Sequence, residues 1–347
     1  MAIINTPLTK LLNVQLPIIS APMAFAATAN LASAVTQAGG FGFMGAGFYS
    51  SQELKRNLQE ARTLLSINPG DPVPIGIGLI GWILDKTEIS DDPRIEAILE
   101  EKPVALWFAF GDDLGKYIAQ VRAYDSKRED GHKTIVFVMV GTVEDALVAA
   151  NEWKVDVVVA QGIEAGGHGR ADAPPLLTLL QAVLTAVPSG PDSPSIIAAG
   201  GVSAGAQVAA LLTAGAHGVV LGTRFLFTNE CIYSSAHKDA LLKAGLINST
   251  RRTLAFDEVG RTMGWPEKHD GRALVNDIIT DVDEGLGFED RLRRYDESKE
   301  KGETSRLIVW AGAGVGLSAS IVPAEDVVHE LRAECVGALQ RASGLLG

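Results

Sequence analysis

Hydrophobic positions in this chain gather into short, dense runs separated by longer amphipathic stretches. The runs occupy residues 17–23 (PIISAPM), 41–47 (FGFMGAG), 74–81 (PIGIGLIG) and 104–110 (VALWFAF). They continue at 134–140 (TIVFVMV), 155–161 (VDVVVAQ), 195–202 (SIIAAGGV) and 218–226 (GVVLGTRFL). Runs this short, without polar alternation, predict strands buried on both faces, as in a parallel sheet. Between them, helical spacing covers 28–38, 51–66, 91–101, 112–124, 143–153, 174–187 and 204–214, with Gly39-Gly40 ending the first and Asp92-Pro93 opening the third. Eight strand–helix alternations with short connections predict an α/β fold, a (β/α)8 TIM barrel. An open doubly wound sheet is the alternative, and eight regular units fit a closed barrel better.

The alternation stops after the eighth run. Residues 228–306 are charged and lack strand-like runs, so the expectation is a helical insertion, 228–310, covering one barrel end. Its charges, among them Asp257, Glu258, Arg261, Arg291, Arg293 and Arg294, read as solvated surface. Residues 310–317 (WAGAGVGL) are glycine-rich, and 323–341 predict an amphipathic helix that completes the barrel ring. The expected organisation is therefore a barrel of residues 1–227 and 311–347 interrupted by the insertion.

Composition narrows the partners. Of 347 residues 47% are apolar, enough for a sizeable core, and the net charge is −12. That balance argues against nucleic acid or an anionic membrane surface as the main partner. An anionic ligand would need donors arranged locally against this field. Cys231 and Cys335 are too few for a disulfide framework and lack metal-ligand spacing. Residues 1–19 show no basic segment leading into a clean apolar core, and no run reaches membrane-span length, so a soluble cytoplasmic protein is expected.

In a barrel, ligands sit at the C-terminal strand ends, and phosphate is often held after strands seven and eight. Here those ends carry Gly200-Gly201 and Gly222-Thr223, small residues ahead of a turn or helix whose N–H groups can hold a phosphate. Pro22-Met23-Ala24 after the first run could lay backbone against a flat ring, or form a core turn. Gly78 in the third run leaves room for a planar group or for tight packing. Gln161 offers an amide to the edge of a heterocycle, or is a polar residue of the rim.

The sharpest residue is His168, which follows the sixth run in a glycine-rich stretch (EAGGHGR) with Gly166 and Gly167. An imidazole can take a proton from carbon or, when charged, bind an anion. Flanking glycines argue against a packing role. Glu164 and Arg170 read as loop-shaping ion pairs, and Arg224 either as added charge for a phosphate or as an ion-paired barrel residue. The remaining histidines show no ligand-like grouping, and no metal site is expected.

Ala21-Pro22-Met23, Gln161-Gly162 with the EAGGH stretch, Ala199-Gly200-Gly201-Val202 and Leu221-Gly222-Thr223-Arg224-Phe225 together resemble the nitronate monooxygenase family, formerly the 2-nitropropane dioxygenases. The resemblance covers roughly residues 15–230, plus Trp310-Ala311-Gly312. It implies a flavoprotein barrel using FMN to oxidise alkyl nitronates, or nitroalkanes, with dioxygen to a carbonyl compound and nitrite. Pro22, Met23, Ala24, Gly78 and Gln161 would meet the isoalloxazine. Gly166, Gly167, Gly200, Gly201, Gly222 and Thr223 would hold the phosphate, and His168 would be the catalytic base or anion partner. Trp82, Trp107, Phe108 and Trp310 could wall the pocket or pack the core. Gly78 departs from the family, where many relatives carry an asparagine near the flavin. The alternative is an NAD(P)H-dependent FMN reductase of the enoyl-acyl-carrier-protein reductase type. Partners are a small nitronate or nitroalkane and dioxygen, with no nucleic acid and no membrane; a homodimer is left open.

Overall fold

A computed structural model describes residues 3–345. The eight expected runs form β1 (Ile18–Ser20), β2 (Phe41–Gly45), β3 (Val73–Ile80), β4 (Pro103–Ala109), β5 (Ile135–Val140), β6 (Val157–Gln161), β8 (Ser195–Ala199) and β9 (Val219–Leu221). All pair in parallel, and β9 returns to β1 to close the barrel. The protein is a TIM barrel, as its periodicity predicts. Alternate side chains divide between two apolar environments. Val157 and Val159 of β6 point into the barrel with Phe43, Trp107, Phe137 and Ile197, while Val158 joins the layer between sheet and helices. That double burial is why the strands read as continuous hydrophobic runs.

The helix Pro7–Leu12, absent from the sequence expectation, sends Leu8 and Leu12 into the interior cluster and plugs the N-terminal end of the barrel. Thr6 and Thr9 cap it reciprocally. The helix expected over 91–101 is the shorter Ile95–Glu100, and an unexpected helix, Gly81–Thr87, is entered directly from β3. Ala324–Ser343 packs against Gly205–Thr213 and Ala29–Gln37 and fills the last helical place in the ring.

Two expectations fail in one place. The glycine-rich stretch after β6 is not a loop throughout: Gly167–Arg170 is a strand, β7. Its partners come from the segment expected to lack strands, where β10 (Thr250–Thr253) and β11 (His269–Leu274) form an antiparallel sheet in the order β10-β11-β7. These strands escape a hydrophobic pattern because their arginines are paired rather than solvated. Arg252, nine-tenths buried, donates to Asp270 and to the Gly169 carbonyl. Four helices, Ser235–Lys243, Ala255–Gly260, Asp277–Asp283 and Phe288–Glu300, complete this segment. It has a small core of its own around Phe256, Val259, Ile278 and Ile279. No helix among the described residues is long and apolar enough to cross a membrane.

Candidate active site

The C-terminal strand ends open into a cavity of about 220 Å³. Pro22, Met23 and Ala24 line one side, Gly78 and Gln161 the floor's edge, and Gly166, Gly167 and His168 another wall. Gly200, Gly201, Gly222 and Thr223 close the ring, so the structure brings all the sequence-predicted site residues to one space. Trp82, Trp107 and Trp310 also line it, whereas Phe108 lies outside, in the core between sheet and helices.

The Pro22–Ala24 turn is pressed onto the strand ends. A Cβ on Gly78 would fall 2.2 Å from Cβ of Pro22, so the room a third-strand side chain would need is taken by that ring. The Gln161 amide runs along the wall above Gly169, where a Cβ would lie 2.3 Å from Oε1. Gly200 and Gly201 have φ of +115° and +71°, a left-handed path that side chains disfavour. Their N–H groups have no main-chain acceptor among the described residues. The N–H groups of Gly222 and Thr223 are equally free, since Thr223 opens the short helix Thr223–Leu226 and its N–H has no partner within the turn. A Cβ on Gly222 would meet nothing closer than 3.6 Å, so protein packing does not require glycine there.

Arg224 turns away from the cavity and pairs with Glu330 of the last helix at 2.6 Å. It is an ion-paired barrel residue and not a ligand group. Glu164 makes no ion pair; it accepts the Leu176 N–H and caps the following helix. Arg170 pairs with Asp172. No grouping of three or more His, Cys, Asp or Glu among the described residues could hold a metal.

His168 is the most constrained side chain of the site. Its Nε2 lies 2.9 Å from both carboxylate oxygens of Asp257. Trp265 stacks on the imidazole, centroids 3.5 Å apart and planes within 9°, and Trp310 tilts across it at 4.6 Å. Phe110 contributes its edge to both His168 and Trp265. The flanking glycines, expected to argue against a packing role, instead make room for aromatic neighbours that pack the ring. Asp257, expected at the surface, is fully buried and also accepts from Thr262 Oγ1 at 2.8 Å and Trp265 Nε1 at 2.9 Å. The signal for it was present. Ala255, Phe256 and Val259 surround Asp257 on one short helix, an apolar setting that surface carboxylates do not have.

Every other wall residue is uncharged. No Asp, Glu, Lys or Arg lines the cavity among the described residues, and His168 is its sole imidazole. Burial pushes the Tyr233 phenol above its ordinary range, so it serves as a neutral hydroxyl. A parallel barrel with a single imidazole in an apolar, glycine-walled mouth defines a class: barrel enzymes that place their chemistry at the C-terminal strand ends.

Known proteins carry this further. The sequence profile of nitronate monooxygenases matches residues 5–334. A nitronate monooxygenase of Neurospora crassa is 34% identical over 335 residues, covering 91% of this chain and 88% of that one. Nitronate monooxygenase npaC of Metarhizium robertsii is also 34% identical, covering 91% and 89%. Among solved structures, FabK from Thermotoga maritima superposes with a TM-score of 0.77 at 25% identity over 99% of this chain and 100% of that one. Nitroalkane oxidase from Streptomyces ansochromogenes superposes at 0.75, with 28% identity over 96% and 99%. The chain belongs to the nitronate monooxygenase family, and it is an oxidoreductase of that type.

Proposed function

We propose that this enzyme binds FMN and oxidises alkyl nitronates, and nitroalkanes after proton removal, with dioxygen to a carbonyl compound and nitrite. The observation that carries this reading is the meeting of one imidazole with two glycine-walled sets of unpartnered N–H groups in one uncharged cavity. The donor set fits a flavin mononucleotide. Free N–H groups at Gly200, Gly201, Gly222 and Thr223 suit a phosphate, as at other helix starts and nests. Pro22 and Met23 offer a flat apolar face, and Gln161 an amide for a ring edge. Bound FMN would supply an electron acceptor for the oxidation. The protein's own part is to orient and dehydrate. Trp82, Phe110, Trp265 and Trp310 exclude water around His168 and keep solvent from competing for the proton it takes. With a neutral nitroalkane His168 accepts the proton from the carbon bearing the nitro group.

The test is the visible spectrum of the purified protein under argon. A flavin absorbance that bleaches on adding a nitronate is expected; a colourless protein that takes up no FMN, or a yellow one that the nitronate leaves unchanged, refutes the proposal. The likeness to FabK favours a second reading, an NAD(P)H-dependent flavin reductase. Rapid bleaching by NADH or NADPH with poor nitronate turnover would select it.

A further inference from the structure

We propose that Asp257, supplied by the segment after β9, is a positioning residue that fixes the tautomer of His168 so that Nδ1 is the proton-accepting atom. The substrate side of this inference rests on the function proposed above; the geometry does not. A carboxylate with no solvent exposure is costly unless fully hydrogen-bonded. Asp257 meets that condition without any arginine or lysine, and His168 is its sole ionisable partner within ion-pair distance among the described residues. The indole N–H of Trp265 can only donate, so Oδ1 is an acceptor. A carboxylate that accepts draws the imidazole proton to Nε2 and leaves the lone pair on Nδ1. Nδ1 has no hydrogen-bond partner among the described residues, and the residue lines the cavity.

The surroundings hold this state. The stacked Trp265 and the tilted Trp310 leave the ring no room to swing. Pairing of β7 with β11 sets His168 opposite Gly271, so strand, carboxylate and stacking ring all come from outside the barrel. In the step this serves, the C–H bond beside the nitro group breaks and its electron pair moves into a C=N bond and onto the nitro oxygens. The proton forms a new N–H at Nδ1, and the resulting imidazolium lies against the Asp257 charge. No electron acceptor is needed until the nitronate exists.

Asp257→Asn tests the assignment. Thr262 and Trp265 both donate to Oδ1 and will keep the amide oxygen there, turning the amide nitrogen toward Nε2. That amide donates, Nε2 becomes the acceptor, and the proton is forced onto Nδ1. Turnover of a neutral nitroalkane should fall about 10²–10⁴-fold in kcat, the scale of losing a correctly held general base. Turnover of the preformed nitronate should stay within about tenfold, because it needs no proton removed. Nitrogen NMR of histidine-labelled protein at alkaline pH, with the signal assigned by its loss in His168→Gln, reads the tautomer directly. Protonated Nε2 in the wild type and protonated Nδ1 in the variant are expected. A wild-type proton on Nδ1, an unchanged tautomer in Asp257→Asn, or equal losses on both substrates overturns the proposal. Should the variant fail to fold, the wild-type tautomer alone decides. Should the wild type oxidise neither substrate, the reaction assigned above falls, and the dyad still stands or falls on its NMR signature.

Discussion

Gly271→Ala is a one-carbon change that tests whether His168 is held as tightly as its contacts suggest. A Cβ at this position would lie 2.4 Å from Cζ3 of Trp310 and 2.9 Å from Nε2 of His168. The first distance is about 1 Å short of ordinary van der Waals contact, so something must move by that much. The backbone cannot yield easily, because β11 is the central strand and Gly271 is paired on both sides, to Thr253 and to His168. Trp310 is backed by the edge of Phe256, and the next residues, Ala311 and Gly312, press main chain to main chain against Gly166. The displacement therefore falls on the imidazole and the indole. Overpacking of this kind costs about 1–3 kcal/mol of stability. A shift of about 1 Å in a catalytic group costs about 10²-fold in turnover. Urea denaturation and steady-state turnover per bound flavin measure the two effects. Gly337→Ala is the matched control: it lies within the helix Ala324–Ser343 with nothing nearer than 3.5 Å, and it should stabilise by about 0.5–1 kcal/mol. Wild-type turnover in Gly271→Ala would refute the claim that the aromatic cage positions His168.

Two other outcomes follow from the same geometry. Gly222→Asp sets a carboxylate beside the free N–H groups at the start of Thr223–Leu226, in space the fold leaves open, so the protein should fold while FMN binds about 10–100-fold more weakly by equilibrium titration; unchanged affinity would place the phosphate elsewhere. Burial pushes the Asp281 carboxyl up, but hydrogen bonds from Arg306 and Arg294 outweigh it and hold the group below its ordinary value. A depressed folded value means that its stabilisation is present above the unfolded value, near pH 4, and fades as pH falls through the folded one. Asp281→Asn should thus cost about 2–3 kcal/mol at pH 7, with the gap to wild type closing in acid; a gap that persists unchanged below pH 4 in denaturant titrations contradicts the ion-pair account.

The barrel was legible in the sequence because each strand is buried on both faces, and apolar runs such as 134–140 and 157–160 have no polar side to turn toward water. The place of Gly200, Gly201, Gly222 and Thr223 on the cavity wall was legible for a related reason: the fold dictates where β8 and β9 end, and these residues stand at those ends. The partners of His168 were not legible. Asp257 lies 89 residues away in a segment whose polar strands carry no hydrophobic period, and what joins them is a β7–β11 pairing between stretches rich in glycine and arginine. Buried ion pairs such as Arg252–Asp270 make such strands look like surface. Charge counted along a chain does not distinguish a solvated carboxylate from one that is buried against an imidazole.

The distribution of charge explains how a protein of net charge −12 could accept an anion at all. No lysine or arginine among the described residues lines the cavity to offset that field, and Arg224 is committed to Glu330. Attraction must then come from fixed dipoles, the free N–H groups at two strand ends. Dipoles held rigidly in an apolar wall act over a few ångströms at low local dielectric and fade quickly outside it. The arrangement therefore favours an anion already inside the mouth without drawing anions from bulk water. Bound near His168, such an anion faces an uncharged, aromatic surround in which the one mobile proton is the one the imidazole can hold.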